Sequence, residues 1–215
     1  MTRRAVLAST AAFLLWGPLG CGGGSRPDER LHKAARQGDD RTLAGLLKSG
    51  ASVEALDEGG WTPLLWAAAR GNEATIEALL GAGANIEAVT RKESQSALTL
   101  AARWNRAGVV SALLRRGASV QRRDSIGWTA LMWAALKGRT DVVTVLLDGG
   151  ARIETTDSDG NTSLILAARQ GRVDTVKVLL ARGARVREKT RAGETAESLA
   201  REAGYPEIAD LLSAR

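Results

Sequence analysis

The side chains able to make or break bonds are few, and none has a partner at a useful spacing. The chain of 215 residues holds one histidine, His32. No GxSxG elbow, P-loop or HExxH zinc sequence accompanies it. A lone histidine with no local ligand or nucleophile beside it reads as structural. Asp157-Ser158-Asp159-Gly160-Asn161 has the composition of a calcium loop. It lacks the further oxygen ligand before the glycine and the distal glutamate that such a loop requires. Asp, Gly and Asn also form turns, so this segment is expected at a hairpin tip. The single cysteine, Cys21, excludes an internal disulfide and any CxxC zinc or redox pair. These residues predict no catalysis, no metal, no cofactor and no small-molecule substrate.

Recognition is the chemistry that the sequence does supply. Six tryptophans stand against one phenylalanine and one tyrosine. Exposed Trp and Arg are common anchors of protein interfaces. Trp61 and Trp128 each precede a hydroxyl residue, in GWT segments. Arg103 and Trp104 are adjacent, and Arg70, Arg123, Lys137 and Arg169 add further cations. Trp66 and Trp133 stand beside Ala-Ala pairs and are expected to pack. The net charge is +6 and the pI about 10.1, and removal of Arg3 and Arg4 with a leader lowers that charge by two. Further arginines cluster at 115–116, 122–123 and 182–191, but acids are interspersed and no nucleic-acid-binding sequence is present. A nucleic-acid partner is not expected.

These residues are positioned by a repeat. Gly-Ala pairs fall at 50/51, 83/84, 117/118, 150/151 and 183/184. A hydroxyl residue returns with nearly the same step at Thr62, Ser96, Thr129, Thr162 and Thr195. A fixed period of this length means stacked supersecondary units. In Asp124–Thr156, TALMWAALK (129–137) reads as one short helix. Gly138 breaks it, since glycine takes positive φ at little cost. DVVTVLL (141–147) reads as a second helix, with Val142, Val145 and Leu146 on its apolar face. One such pair cannot bury its apolar face alone, so copies must stack. Unit one is polar in its second helix and unit six is highly charged, as suits repeats that close the two ends.

GWTPLLWAAARGN (60–72), GWTALMWAALKGR (127–139) and GNTSLILAARQGR (160–172) resemble the ankyrin repeat. LLGAGANIEA (79–88) and LLARGARVRE (179–188) resemble its closing segment. The resemblance implies an all-α repeat solenoid of about six helix-turn-helix units with β-hairpin-like fingers. It spans 28–215, with units at 28–56, 57–90, 91–123, 124–156, 157–189 and 190–215. Unit three departs from the pattern: its tip is RKESQ, and Asn105 replaces the helix-breaking glycine. A histidine at the place of His32 commonly bonds the Thr that opens the helix in this family; here that place holds Glu29. The family commonly contacts partners through the finger position of Trp61 and Trp128 and the first-helix end where Trp104 falls. With Arg70, Arg103, Arg123, Lys137 and Arg169 these form the expected partner-binding set, facing an acidic segment of a protein.

The N-terminus reads differently. Arg3 and Arg4 precede an uncharged apolar run, Ala5 to Trp16, too short for a comfortable membrane span. Residues 1–20 are expected to be an export signal. Leu19-Gly20-Cys21 resembles the end of a bacterial lipoprotein signal, although Pro18 departs from its pattern; the resemblance implies acylation of Cys21. Residues 21–27 are expected to tether that anchor to the repeats. TRRAVL (2–7) also resembles a twin-arginine export sequence. The expectation is an exported periplasmic or cell-envelope module, lipid-anchored to a membrane, that binds a protein. An alternative is a dedicated inhibitor or regulator of an envelope enzyme or toxin, or a structural envelope lipoprotein.

Overall fold

The computed structural model describes residues 26–214. Cys21, the expected leader and most of the expected tether lie outside them. Twelve helices follow one another as six antiparallel pairs. They are α1 (Pro27–Gln37), α2 (Asp40–Lys48), α3 (Pro63–Arg70), α4 (Glu73–Gly81), α5 (Ala97–Arg103) and α6 (Ala107–Arg115), then α7 (Ala130–Leu136), α8 (Thr140–Asp148), α9 (Ser163–Arg169), α10 (Val173–Ala181), α11 (Ala196–Glu202) and α12 (Pro206–Ser213). Helix α1 already includes Pro27, so the expected tether ends one residue earlier than its assignment to 21–27.

From unit two onward, each first helix starts where its hydroxyl stands. The side chains of Thr62, Ser96, Thr129, Thr162 and Thr195 accept the N–H of Leu65, Thr99, Met132, Ile165 and Ser198. Each bond satisfies one of the orphan donors of a helix N-terminus. Thr195 and Ser198 complete a reciprocal capping box. Pro63 occupies the first turn of α3, where a missing N–H loses nothing.

The first helices form one row and the second helices another. First helices approach one another more closely than second helices do. Their Ala-Ala pairs (67–68, 101–102, 134–135, 167–168) are fully buried and admit that approach. The core is continuous through all units, with Leu31, Leu64, Leu65, Leu98, Leu131 and Leu164 at its centre. In α8 the structure buries Val142, Val143 and Leu146, while Val145 is half-buried. Val145 still packs against the core, and Val143 is buried in addition, because α8 packs against α7, α6 and α10 at once and its buried face is wider than one stripe.

The fingers are hairpin-like at a single rung. Asp57, Asp124 and Asp157 donate their N–H to the carbonyls of Trp61, Trp128 and Asn161 at 3.0, 2.9 and 3.1 Å. Isolated bridges join Val89 to Ser96 and Lys189 to Thr195. Gly138 has φ +68°, and Asn105 takes the same left-handed place at +59° in unit three. Over Gly138 lies Arg172, whose Nε donates to the carbonyl of Leu136 at 3.2 Å and satisfies the end of α7. A Cβ at 138 would come within 2.8 Å of the Arg172 Cδ. Gly138→Val is therefore expected to lower stability by about 1–2 kcal/mol, read as a fall in the urea midpoint at unchanged helical circular dichroism.

Candidate protein-binding face

Two tryptophan clusters stand on the first-helix side of the stack, beside the fingers. In unit two, Trp61 stacks on Trp66 with ring centroids 4.4 Å apart. The Trp66 indole N–H donates to Asp57 Oδ2 at 2.7 Å, and the guanidinium of Arg36 lies 3.9 Å above its ring. Unit four repeats this. Trp128 lies 4.8 Å from Trp133, whose N–H donates to Asp124 Oδ2 at 2.7 Å. Arg103 sits 4.5 Å from the Trp133 ring and 5.9 Å from that of Trp104. Trp66 and Trp133, expected as packing residues, do pack, but as half-buried floors of the face rather than inside the core.

The structure brings together Arg103, Trp104, Trp128 and Trp133. Trp104 caps the end of α5 and is 51% exposed, and Ile126 on the adjoining finger is 52% exposed. Trp128 also donates its indole N–H to Asp157 Oδ2 of the next finger at 3.0 Å. It is therefore a brace between fingers as well as a half-exposed ring. Arg123 braces likewise: its Nη1 donates to the carbonyls of Gly127 and Thr156, each at 2.8 Å. Trp61 belongs to the unit-two cluster. Arg70, Lys137 and Arg169 stand exposed at the C-terminal ends of α3, α7 and α9; Arg169 holds the repeat place of Arg103, and Arg70 and Lys137 the next one, that of Trp104. A cation there also complements the helix dipole.

Charge is distributed unevenly between the two sides. Arg115 and Arg116 pair with Glu77, Arg122 with Glu87, Arg182 with Asp148 and Lys177 with Glu207, on second helices and the loops that follow them. On the first-helix side Arg103 meets Glu93 at 3.4 Å. Among the described residues Lys33, Arg36, Arg70, Lys137 and Arg169 have no carboxylate within 4.0 Å. The face therefore presents uncompensated positive charge around aromatic rings.

The aspartates that organise this face are not evident from composition. Asp57, Asp124 and Asp157 hold both the finger backbone and a tryptophan. Asp124 Oδ1 accepts the N–H of Ile126 and Trp128, and Asp157 Oδ1 those of Asp159 and Asn161. The bonds to Asp157 explain the calcium-like composition of its loop as a closed turn. No metal-binding cluster is present among the described residues. The available signal is an interval: each Asp precedes Trp or Asn by four residues, and Asp57 and Asp124 precede Trp66 and Trp133 by nine.

His32 is structural. It is 5% exposed, with Nδ1 2.7 Å from the Asp28 carbonyl and Nε2 2.9 and 3.0 Å from those of Ala55 and Trp61. It ties unit one to the finger of unit two.

Burial works to raise the pKa of Asp57. The N–H of Trp61, the Trp66 indole, the nearby His32 and the N–H of Gly59 outweigh it, and the net position is below the ordinary 3.8. A folded-state value below the unfolded one gives stability that is present above the unfolded pKa and lost as pH falls through the folded one. Asp57→Asn is expected to lower stability at neutral pH and to flatten its loss below about pH 4. Urea unfolding along an acid series checks this.

A family model described as "Ankyrin repeats (3 copies)" matches residues 31–124, 90–157 and 131–215. The chain belongs to the ankyrin-repeat family. This ankyrin-repeat protein is similar to a chain in the solved structure "Bd0816 Predatory Endopeptidase from Bdellovibrio bacteriovorus in complex with immunity protein Bd3460". The TM-score is 0.77 at 29% identity, over 87% of this chain and 98% of that one. No curated protein matches.

Proposed function

We propose that this chain is a non-enzymatic binding module that grips an acidic segment of a protein partner on its first-helix and finger face. The uncompensated cations on that side carry the reading. On the second-helix side Arg115, Arg116, Arg122, Lys177 and Arg182 are paired within the chain, while Arg41 and Lys48 on α2 have no ion pair among the described residues. Trp61, Trp104 and Trp128 supply apolar contact, and Arg70, Arg103, Lys137 and Arg169 supply charge. Arg123 holds two fingers in register. A stack fixed by core and braces loses little entropy on binding. No bond is made or broken in this function.

A second reading concerns the partner's class. The similarity to a chain of an endopeptidase–immunity protein complex extends over most of both chains. It favours a partner that is itself an enzyme, restrained by this protein. Export and anchoring through acylated Cys21 complete the proposal, on the sequence of 1–21. Labelled fatty acid is expected to enter the full chain and not Cys21→Ser; equal labelling would remove the anchor.

Photo-crosslinking tests the face. A photoreactive residue at 104 is expected to trap a protein in cells producing the full chain. The same residue at 115, on the exposed end of α6, is expected to trap none. Capture from 115 alone would overturn the assignment.

A further inference from the structure

We infer that this face carries two matched anchor sites, two repeats apart, which hold an extended acidic segment at two carboxylate-bearing points about five or six residues apart. The inference rests on the acidic-partner reading above and adds its register.

The two sites repeat in chemistry and geometry. Asp57, Trp61, Trp66 and Arg36 recur 67 residues later as Asp124, Trp128, Trp133 and Arg103. In each, an aspartate fixes the lower indole at 2.7 Å and a guanidinium from the preceding unit lies over it, at 3.9 and 4.5 Å from the centroid. Units three and five put Leu100 and Leu166 in the indole's place, both buried. A general acidic-binding surface has no need of such alternation. A ruler with two marks does.

Stacking makes each arginine suited to a carboxylate. A guanidinium lying over an indole is held in one plane, and its N–H groups point sideways into solvent as a fork. Such a fork takes a carboxylate through two parallel bonds. Among the described residues Arg36 makes no hydrogen bond or ion pair. Arg103 gives only Nη1, shared between Glu93 and Gln95 at 3.4 Å each. Among the described residues its second amino group has no acceptor. Arg70 and Lys137 add positive field along the same side without a fixed geometry.

Spacing follows from the stack. Neighbouring packed helices lie about 8–10 Å apart, so two steps span roughly 16–20 Å. An extended chain advances about 3.3–3.4 Å per residue, which sets the interval at about five or six residues.

The test uses the full chain and labelled synthetic peptides. Each peptide carries two Glu-Glu pairs separated by a Gly/Ser spacer that places them about two, five or twelve residues apart, and a single-pair peptide is the reference. Fluorescence anisotropy at fixed low salt reads affinity. The interval of about five is expected to bind several-fold tighter than the interval of two or the single pair, because the second contact becomes intramolecular. Arg36→Lys and Arg103→Lys keep the charge but lose the planar fork, and each is expected to reduce all peptides to the single-pair level. Trp66→Leu and Trp133→Leu, which install the residue of units three and five, give the same result if a lysine variant melts early. Affinity that is equal at every interval, and indifferent to these variants, overturns the two-site register while leaving the acidic-binding face intact. Absence of binding by every acidic peptide, or tighter binding of oligothymidylate or phosphatidylglycerol vesicles of equal charge, overturns both.

Discussion

Leu146→Ala is expected to destabilise the stack by about 2–5 kcal/mol and to broaden its unfolding transition. Leu146 is fully buried in α8, which packs on α7 of its own unit and on α6 and α10 of its neighbours. The lost transfer energy is joined by the cavity left among four helices, since close-packed neighbours relax only in part. In a repeat stack each unit is stabilised mainly by the units on either side. A weak fourth unit therefore uncouples units one to three from five and six. The expected signature is a lower urea midpoint with a shallower slope or a second transition. A uniform shift without broadening would mean that the stack unfolds as one block.

Asp157→Ala is expected to lower stability by about 3 kcal/mol. Its carboxylate accepts the N–H of Asp159 and Asn161, the amide of Asn161, and the Trp128 indole, all between 2.8 and 3.2 Å. The site is buried, so these donors lose a partner that water does not replace in full. Asp157→Asn is expected to fall between wild type and alanine: one carbonyl oxygen remains, but an N–H₂ group can face the Trp128 N–H. Beyond stability, both variants release Trp128 from the next finger and should raise the mobility of its fluorescence. Equal melting temperatures for all three proteins would show that the finger braces contribute little.

The parts of the fold that were legible in sequence are those that a backbone demands locally. A hydroxyl at a helix start, glycine or Asn105 at a left-handed turn, and an Ala-Ala pair at a close helix contact each act within a few residues. Their recurrence gave the number and order of the helix pairs. Ser94 is the exception: it takes φ +50° at the unit-three tip, where no glycine marks the turn. The face was legible in part. Arg70, Trp104 and Lys137 are exposed at one place of the repeat, and Arg169 at the place before it, because the period puts them at first-helix ends. Arg36 over Trp66 and Arg103 over Trp133 were not legible, since each pair joins residues of different units and exists only in the stacked form. The double duty of Trp128, brace and half-exposed ring, likewise depends on Asp157 of the next finger. Val143 is buried beyond the expected stripe for a related reason: a single-helix pattern does not know how many neighbours the helix will have.

The measurement that bears most directly on the binding face is a charge-reversal capture. The full chain is compared with two variants, Arg70→Glu/Lys137→Glu/Arg169→Glu on the first-helix side and Arg115→Glu/Arg116→Glu on the second-helix side. Each serves as bait in cells producing the full chain, and partner retained at moderate salt is quantified after helical circular dichroism has confirmed folding. The first variant is expected to lose the partner and the second to keep it. Retention by the first with loss by the second would contradict an acidic partner held on the first-helix and finger face.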